Sequence, residues 1–167
     1  MRPVDEATYS AETWLEFAED DLVLARSVLG QARLGRLICY HAQQAAEKAL
    51  KAYVADLTNT PVPRTHNLLA LSQLIREMGG RDAPEWAVEV LNEYGTMPRY
   101  PPAALPSPEA ATRAVGLAAD VLSFVRAAIP EATESSLRCD APGEPTTTPP
   151  ASVGEHSDCT SACETTP

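Results

Sequence analysis

His41-Ala42-Gln43-Gln44-Ala45-Ala46-Glu47-Lys48-Ala49-Leu50-Lys51-Ala52 holds no glycine, no proline and no β-branched residue. Such a run is helical by propensity. Read with its flanks, it predicts a helix from about Leu34 to Leu57. Ile38, Ala42, Ala45, Ala46, Ala49 and Tyr53 recur at helical spacing and form its inner face. Most of these are alanines, so a neighbouring helix can approach closely. Pro61 and Pro63 end the run.

Working outward, the same period recurs on both sides. A first helix is expected from about Ala11 to Leu29, with Ser10 as N-cap and Gly30 as stop. Trp14, Phe17, Ala18, Leu22, Ala25, Val28 and Leu29 form its apolar face. A third helix is expected from about His66 to Met78, with Thr65 as N-cap, a stripe of Leu68, Leu71, Leu74 and Ile75, and Gly79-Gly80 as its end. A fourth spans roughly Pro84 to Tyr94. The stretch from Gly95 to Pro106 carries Pro98, Pro101, Pro102 and Pro106 and reads as a loop. A fifth helix runs from about Pro108 to Ala128 behind Ser107, with Val115, Leu122, Phe124, Val125 and Ile129 apolar. No strand pattern is present. The fold class is all-α: a five-helix up-and-down bundle.

The chain has 167 residues, of which 44% are hydrophobic and only 5% aromatic, and it carries a net charge of −10. The charge is uneven. Residues 131–167 hold seven acids against Arg138 alone, a net of −6, and are rich in Ser, Thr and Pro. Their few large apolar residues cannot offset the entropy of ordering, so a disordered tail is expected after a 1–130 bundle. An acidic chain is a poor partner for duplex DNA, which rewards a positive field. No run of about 18 apolar residues offers a membrane span, and the N-terminus lacks a signal-peptide core. A cytoplasmic protein is expected. His156, Cys139, Cys159 and Cys163 in the tail match no standard zinc spacing, so neither a metal nor another cofactor is expected.

Four polar groups stand where apolar residues would be ordinary. Asp21 lies about 20° from Trp14 on the helix-one wheel, in the middle of the stripe, so it needs a partner. That partner is either a structural cation or a functional Arg, Lys or His that Asp21 orients. Lys48, His41 and Arg99 are within plausible reach. Helix two carries Arg36, His41, Gln43, Gln44, Glu47, Lys48 and Lys51. The i,i+4 order of Glu47 and Lys51 suits a solvated salt-bridged face. His41, at the margin of the alanine face, is either a core-edge hydrogen bonder or an acid–base group. Arg36 and His41 are about 140° apart on a regular helix and converge only if Arg36 sits in or before the first turn. Arg64-Thr65-His66-Asn67 is either a capping turn or, with free N–H groups beside Arg64, a phosphate site. Met97-Pro98-Arg99-Tyr100-Pro101 restrains one Arg beside a Tyr, to serve a site or to pin the loop. No metalloprotease motif, phosphate-binding glycine loop, dinucleotide fingerprint or nucleophile elbow is present.

These residues resemble a family. Ala18-Glu19-Asp20-Asp21-Leu22-Val23-Leu24-Ala25 is similar to the A-x-x-D-L-x-x-A opening of HEPN domains, and the 41–52 stretch resembles their second-helix signature. Thr65-His66-Asn67-Leu68 resembles a T-H-D-L motif with Asn67 for Asp, and Arg99-Tyr100-Pro101 an R-Y-P loop. The resemblance covers about residues 10–130 and points to the prokaryotic, nucleotidyltransferase-associated type. It implies a homodimer and a minimal nucleotidyltransferase as partner in a toxin–antitoxin-like pair. It also implies nucleotide or nucleic-acid-end binding, with Lys48, Lys51, Arg64, His66 and Arg99 as phosphate contacts and Asp21, Gln44, Glu47 and Tyr100 as orienting groups. Many HEPN domains are metal-independent ribonucleases with Arg, four to six residues, then His in a late helix. Here Arg99 has no such His after it, while Arg36 and His41 match the letters in helix two. An endoribonuclease toxin using Arg36 and His41 is therefore the alternative expectation, and a ligand-free homodimeric scaffold the third.

Overall fold

The computed structural model describes residues 9–58, 61–95 and 105–129, and in these the chain forms five α-helices without a strand. They are α1 (Ala11–Ser27), α2 (Gly35–Leu57), α3 (Leu68–Glu77), α4 (Glu85–Gly95) and α5 (Pro108–Ala128). The expected tail, the Arg99-Tyr100 loop and the 1–130 boundary lie outside the described residues.

Local chemistry sets the helix ends. The hydroxyls of Ser10 and Ser107 accept from the amides of Thr13 and Ala110, as N-caps do. After α1 the chain turns at Gly30, whose φ of 95° suits only a residue without a Cβ. A short 3-10 turn, Ala32–Leu34, then leads into α2. Helix α1 stops at Ser27, two residues before the expected end, and α2 starts at Gly35.

The start of α3 corrects the sequence reading. Asn67 is the cap, its side chain accepting from the amides of Leu69 and Ala70, and the helix begins at Leu68. The Thr65 hydroxyl accepts only from the Asn67 amide, a small turn ahead of the cap. Both residues are capping types. The second wins because the Asn92 side chain also reaches the Leu68 amide, at 2.8 Å, and fixes the helix start from α4.

Helix α2 is the axis of the bundle and packs against α1, α3, α4 and α5. Its alanines at 42, 45, 46 and 49 are fully buried, so the backbones approach closely. Because neighbours surround it, its buried residues are not one stripe. Cys39, Gln43, Glu47, Leu50, Lys51, Ala52 and Val54 are buried as well. Helix α1 contributes Trp14, Ala18, Leu22 and Ala25, and α5 contributes Val115, Leu122 and Val125. Phe17 and Leu29 depart from expectation. Each is 38% exposed, Phe17 at the outer edge of the α1 face and Leu29 in the turn after the helix has ended.

Candidate functional site

Asp21 is the first polar residue that the fold explains. It is buried in the α1 face, and two side chains of α2 meet its carboxylate. His41 donates from Nδ1 to Oδ1 at 2.8 Å, and Lys48 donates from Nζ to Oδ2. His41 and Lys48 are seven residues apart, about 20° around the helix, so one carboxylate can serve both. In the neutral ring, donation from Nδ1 leaves the His41 Nε2 with its lone pair. The side chains of His41 and Lys48 keep 25% and 26% of their surface open, against 12% for Asp21. The cluster thus has a buried acid behind and two cationic or proton-carrying groups in front. Tyr40 lies edge-on to the His41 ring, with centroids 5.4 Å apart.

A second carboxylate sits deeper. Glu47 is 2% exposed and Lys51 4%, which overturns the reading of this pair as a solvated face. Lys51 donates to Oε1 at 2.9 Å, and the amides of Gln43 and Gln44 both donate to Oε2 at 3.2 Å. His66 donates from Nδ1 to Oε1 at 3.0 Å. Gln44 also donates to Gln43 Oε1, and Gln43 to the His66 carbonyl at 3.2 Å. Every group around Glu47 therefore has a partner, as burial requires. The ammonium of Lys51 lies over the Trp14 ring at 4.9 Å. Engaged on both sides and buried, Lys51 does not present a charge to a ligand.

The other expected positions fall apart in space. Arg36 lies in the first turn of α2, half-buried. It meets the first-turn condition for convergence with His41, but that turn is already regular helix, so about 140° still separates the two and a first-turn position does not bring them to one face. Arg64 is exposed in the non-helical segment before α3, and the His66 side chain is 79% exposed. The α3 N-terminus is not the free anion site that the sequence allowed, because Asn67 and Asn92 already occupy the amides of residues 68, 69 and 70. Arg99 and Tyr100 lie outside the described residues. Among the described residues, no group of three or more His, Cys, Asp or Glu side chains could hold a metal ion.

Two residues that the sequence did not flag border the site. Phe17 brings its ring to 5.8 Å from the Lys48 ammonium. Gly95 ends α4 so close to the Gln43 amide that a Cβ there would sit 3.0 Å from Nε2. Behind the site, burial pushes the Cys39 thiol above its ordinary pKa, with a Tyr94 hydrogen bond pulling it partly back. This keeps the sulfur protonated and unreactive.

Comparison with known proteins places this geometry in context. The sequence profile of the HEPN domain matches residues 11–128. The crystal structure of TT1696 from Thermus thermophilus is similar at 32% identity and a TM-score of 0.61, over 70% of this chain and 96% of that one. The structure of ST0689, an archaeal HEPN homologue, is similar at 23% identity and a TM-score of 0.56, over 73% and 99% of the two chains. No curated protein sequence matches.

Proposed function

This chain belongs to the HEPN domain family, and on that premise we propose that its Asp21–His41–Lys48 cluster holds the phosphate of a nucleotide or nucleic-acid end. The module would do so as a homodimer paired with a minimal nucleotidyltransferase, in a toxin–antitoxin-like system. One observation carries the binding reading. Lys48 and His41 share a buried carboxylate, yet each keeps about a quarter of its side chain open on the same strip of α2. The carboxylate fixes where both groups point, and their outer atoms remain for a ligand. Lys48 supplies a point charge to phosphate oxygens and His41 an N–H donor when protonated. Arg64 and His66 belong to the separate α3 entry and Lys51 to the interior, so none of the three is in this contact set.

Calorimetric titration with AMP and with a 5′-phosphorylated oligoribonucleotide tests the binding. Saturable binding that Lys48→Gln weakens at least about tenfold is expected, the scale of a lost charge-assisted contact. Wild-type protein that binds neither ligand overturns the reading. Co-expression with the nucleotidyltransferase of the adjacent reading frame tests the pairing. A stable complex is expected, and the absence of any such frame removes the pairing.

The Asp21–His41 geometry also favours a second reading, endoribonuclease activity. A carboxylate on Nδ1 leaves Nε2 to take the proton of a 2′-hydroxyl. The 2′-oxygen then attacks phosphorus, the P–O5′ bond breaks, and the 5′-oxygen departs with the proton that the His41 imidazolium returns. Among the described residues, Lys48 is the second cation on the face of His41, in the place that the motif gives to Arg36. Arg36 enters only if a second copy supplies it. Cleavage of RNA in chelator that His41→Ala abolishes supports this reading; cleavage that survives His41→Ala excludes it.

A further inference from the structure

Helices α1 and α2 run antiparallel, and their contacts form successive rungs. Trp14 meets Lys51, Phe17 meets Lys48, and Asp21 meets Lys48 and His41. The first rung is buried. From the second onward the rungs reach the surface, where Phe17 is 38% exposed beside Lys48. Apolar residues continue the strip past His41. Leu24, seven residues after Phe17, is 45% exposed, and Leu37, four before His41, is 52% exposed.

Phe17 is the least expected member. The interior arc of α1 is filled by Trp14, Ala18, Leu22 and Ala25, and the Phe17 ring stands at its rim. Open aromatic area at that rim is apolar surface that folding leaves in water. The ring is nevertheless held in place. Tyr9 packs edge-on against it with centroids 5.7 Å apart, and the Lys48 ammonium lies 5.8 Å from its centroid.

Building on the phosphate reading above, we propose that Phe17 is the stacking platform for an unpaired base of the ligand whose phosphate Lys48 and His41 hold. A cation beside an aromatic ring is how single-stranded nucleic acid is gripped, the charge tracking the backbone and the ring meeting a base face. Sugar and phosphate separate base from charge by a few ångströms, the same scale as the Lys48-to-ring distance. Inside a duplex both faces of each base are already stacked, so the ligand class narrows to a mononucleotide or the unpaired end of a strand. Leu24 and Leu37 give the same strip an apolar continuation for the next nucleotide.

The test compares AMP with ribose 5-phosphate by calorimetry on the full chain, and then repeats both with Phe17→Leu and Phe17→Tyr. AMP is expected to bind at least about fivefold tighter than ribose 5-phosphate, the lower bound of a base–aromatic stack. Phe17→Leu should bring AMP down to the affinity of ribose 5-phosphate, and Phe17→Tyr should keep the difference. Circular dichroism confirms that each variant is folded. Equal wild-type affinity for the two ligands overturns the stacking role and leaves the phosphate reading standing. An AMP preference that Phe17→Leu does not reduce also overturns it, since the base then lies elsewhere. Binding of neither ligand overturns both.

Discussion

Two carboxylates meet helix α2 in this bundle, and they are used in opposite ways. Asp21 comes from α1 and meets His41 and Lys48 at the rim, where both partners keep a quarter of their surface. Glu47 belongs to α2 itself and is closed in by Lys51, Gln43, Gln44 and His66. Each has one lysine and one histidine, so composition does not separate them. Burial does. A charge pair that is fully enclosed is held by hydrogen bonds on every side and has no atom left for a ligand. A pair with its acid inside and its cations outside is oriented without being spent. The same chemistry thus serves cohesion in one place and, on the function proposed above, recognition in the other.

The strongest way to break this contrast is to remove the buried acid. Glu47→Leu leaves the Lys51 ammonium enclosed without a counter-charge, with Gln43, Gln44 and His66 short of an acceptor. The loss expected in chemical denaturation is about 3–5 kcal/mol, the cost of breaking a buried pair from one side. Glu47→Leu combined with Lys51→Met should recover much of it, because no charge is then stranded. A single variant as stable as wild type would mean that Lys51 reaches water, and the two clusters would no longer differ in kind.

At the rim the same operation should cost less stability and more function. Asp21→Asn keeps the shape and one acceptor but removes the charge that Lys48 and His41 share. A loss of about 1–3 kcal/mol is expected, toward the lower end because Lys48 is partly hydrated. Binding of AMP should fall with it, since both contacts lose their orientation. If Asp21→Asn lowers the melting temperature but leaves AMP affinity intact, the rim acid is structural and the contrast with Glu47 collapses to one of degree.

How far the sequence carried this picture depends on what a pattern can encode. Asp21 was legible because an acid at about 20° from Trp14 on an apolar stripe contradicts its neighbours, and Lys48 and His41 were two of the three partners, with Arg99, that the sequence put within reach. Ser10 and Ser107 were legible because a cap is a local event. Glu47 and Lys51 were not. An i,i+4 Glu–Lys pair has the same letters on a wet face and inside a bundle, and only the helices that close over α2 decide between them. Phe17 failed the other way. Its wheel position is right for the core, but the arc that α2 covers is narrower than the apolar arc of α1. Arg36 and His41 matched a motif in letters while a regular helix set them about 140° apart.

A sharper local test concerns the entry to α3, which holds His66 against Glu47. Asn67→Ala removes the acceptor of two helix amides, and a loss of about 1 kcal/mol is expected in thermal or denaturant unfolding. Thr65→Ala, which removes one acceptor in an open turn, should cost only a few tenths of that. The reverse order would put the cap at Thr65 and move the start of α3 toward His66.

The smallest effect should come from His66, although it touches the most buried acid among the described residues. Its Nδ1 lies 3.0 Å from Glu47 Oε1, yet its side chain is 79% exposed against 3% for that of Glu47. Glu47 keeps three other donors without it, from Lys51, Gln43 and Gln44. An interaction with one partner in water contributes little, because hydration competes for the imidazole and side-chain ordering offsets the rest. His66→Gln is therefore expected to change stability by less than about 0.5 kcal/mol. The Gln43 bond to the His66 carbonyl is a backbone contact and survives the substitution. AMP affinity should not change either, since the proposed site lies at Asp21, His41 and Lys48. His41→Gln, by contrast, replaces a group of the proposed phosphate site and should weaken AMP binding several-fold. The two imidazoles have the same kind of partner and nearly the same hydrogen-bond length. If His66→Gln weakens AMP as much as His41→Gln does, the ligand bridges both carboxylates, and the division between an enclosed acid and an open one is wrong.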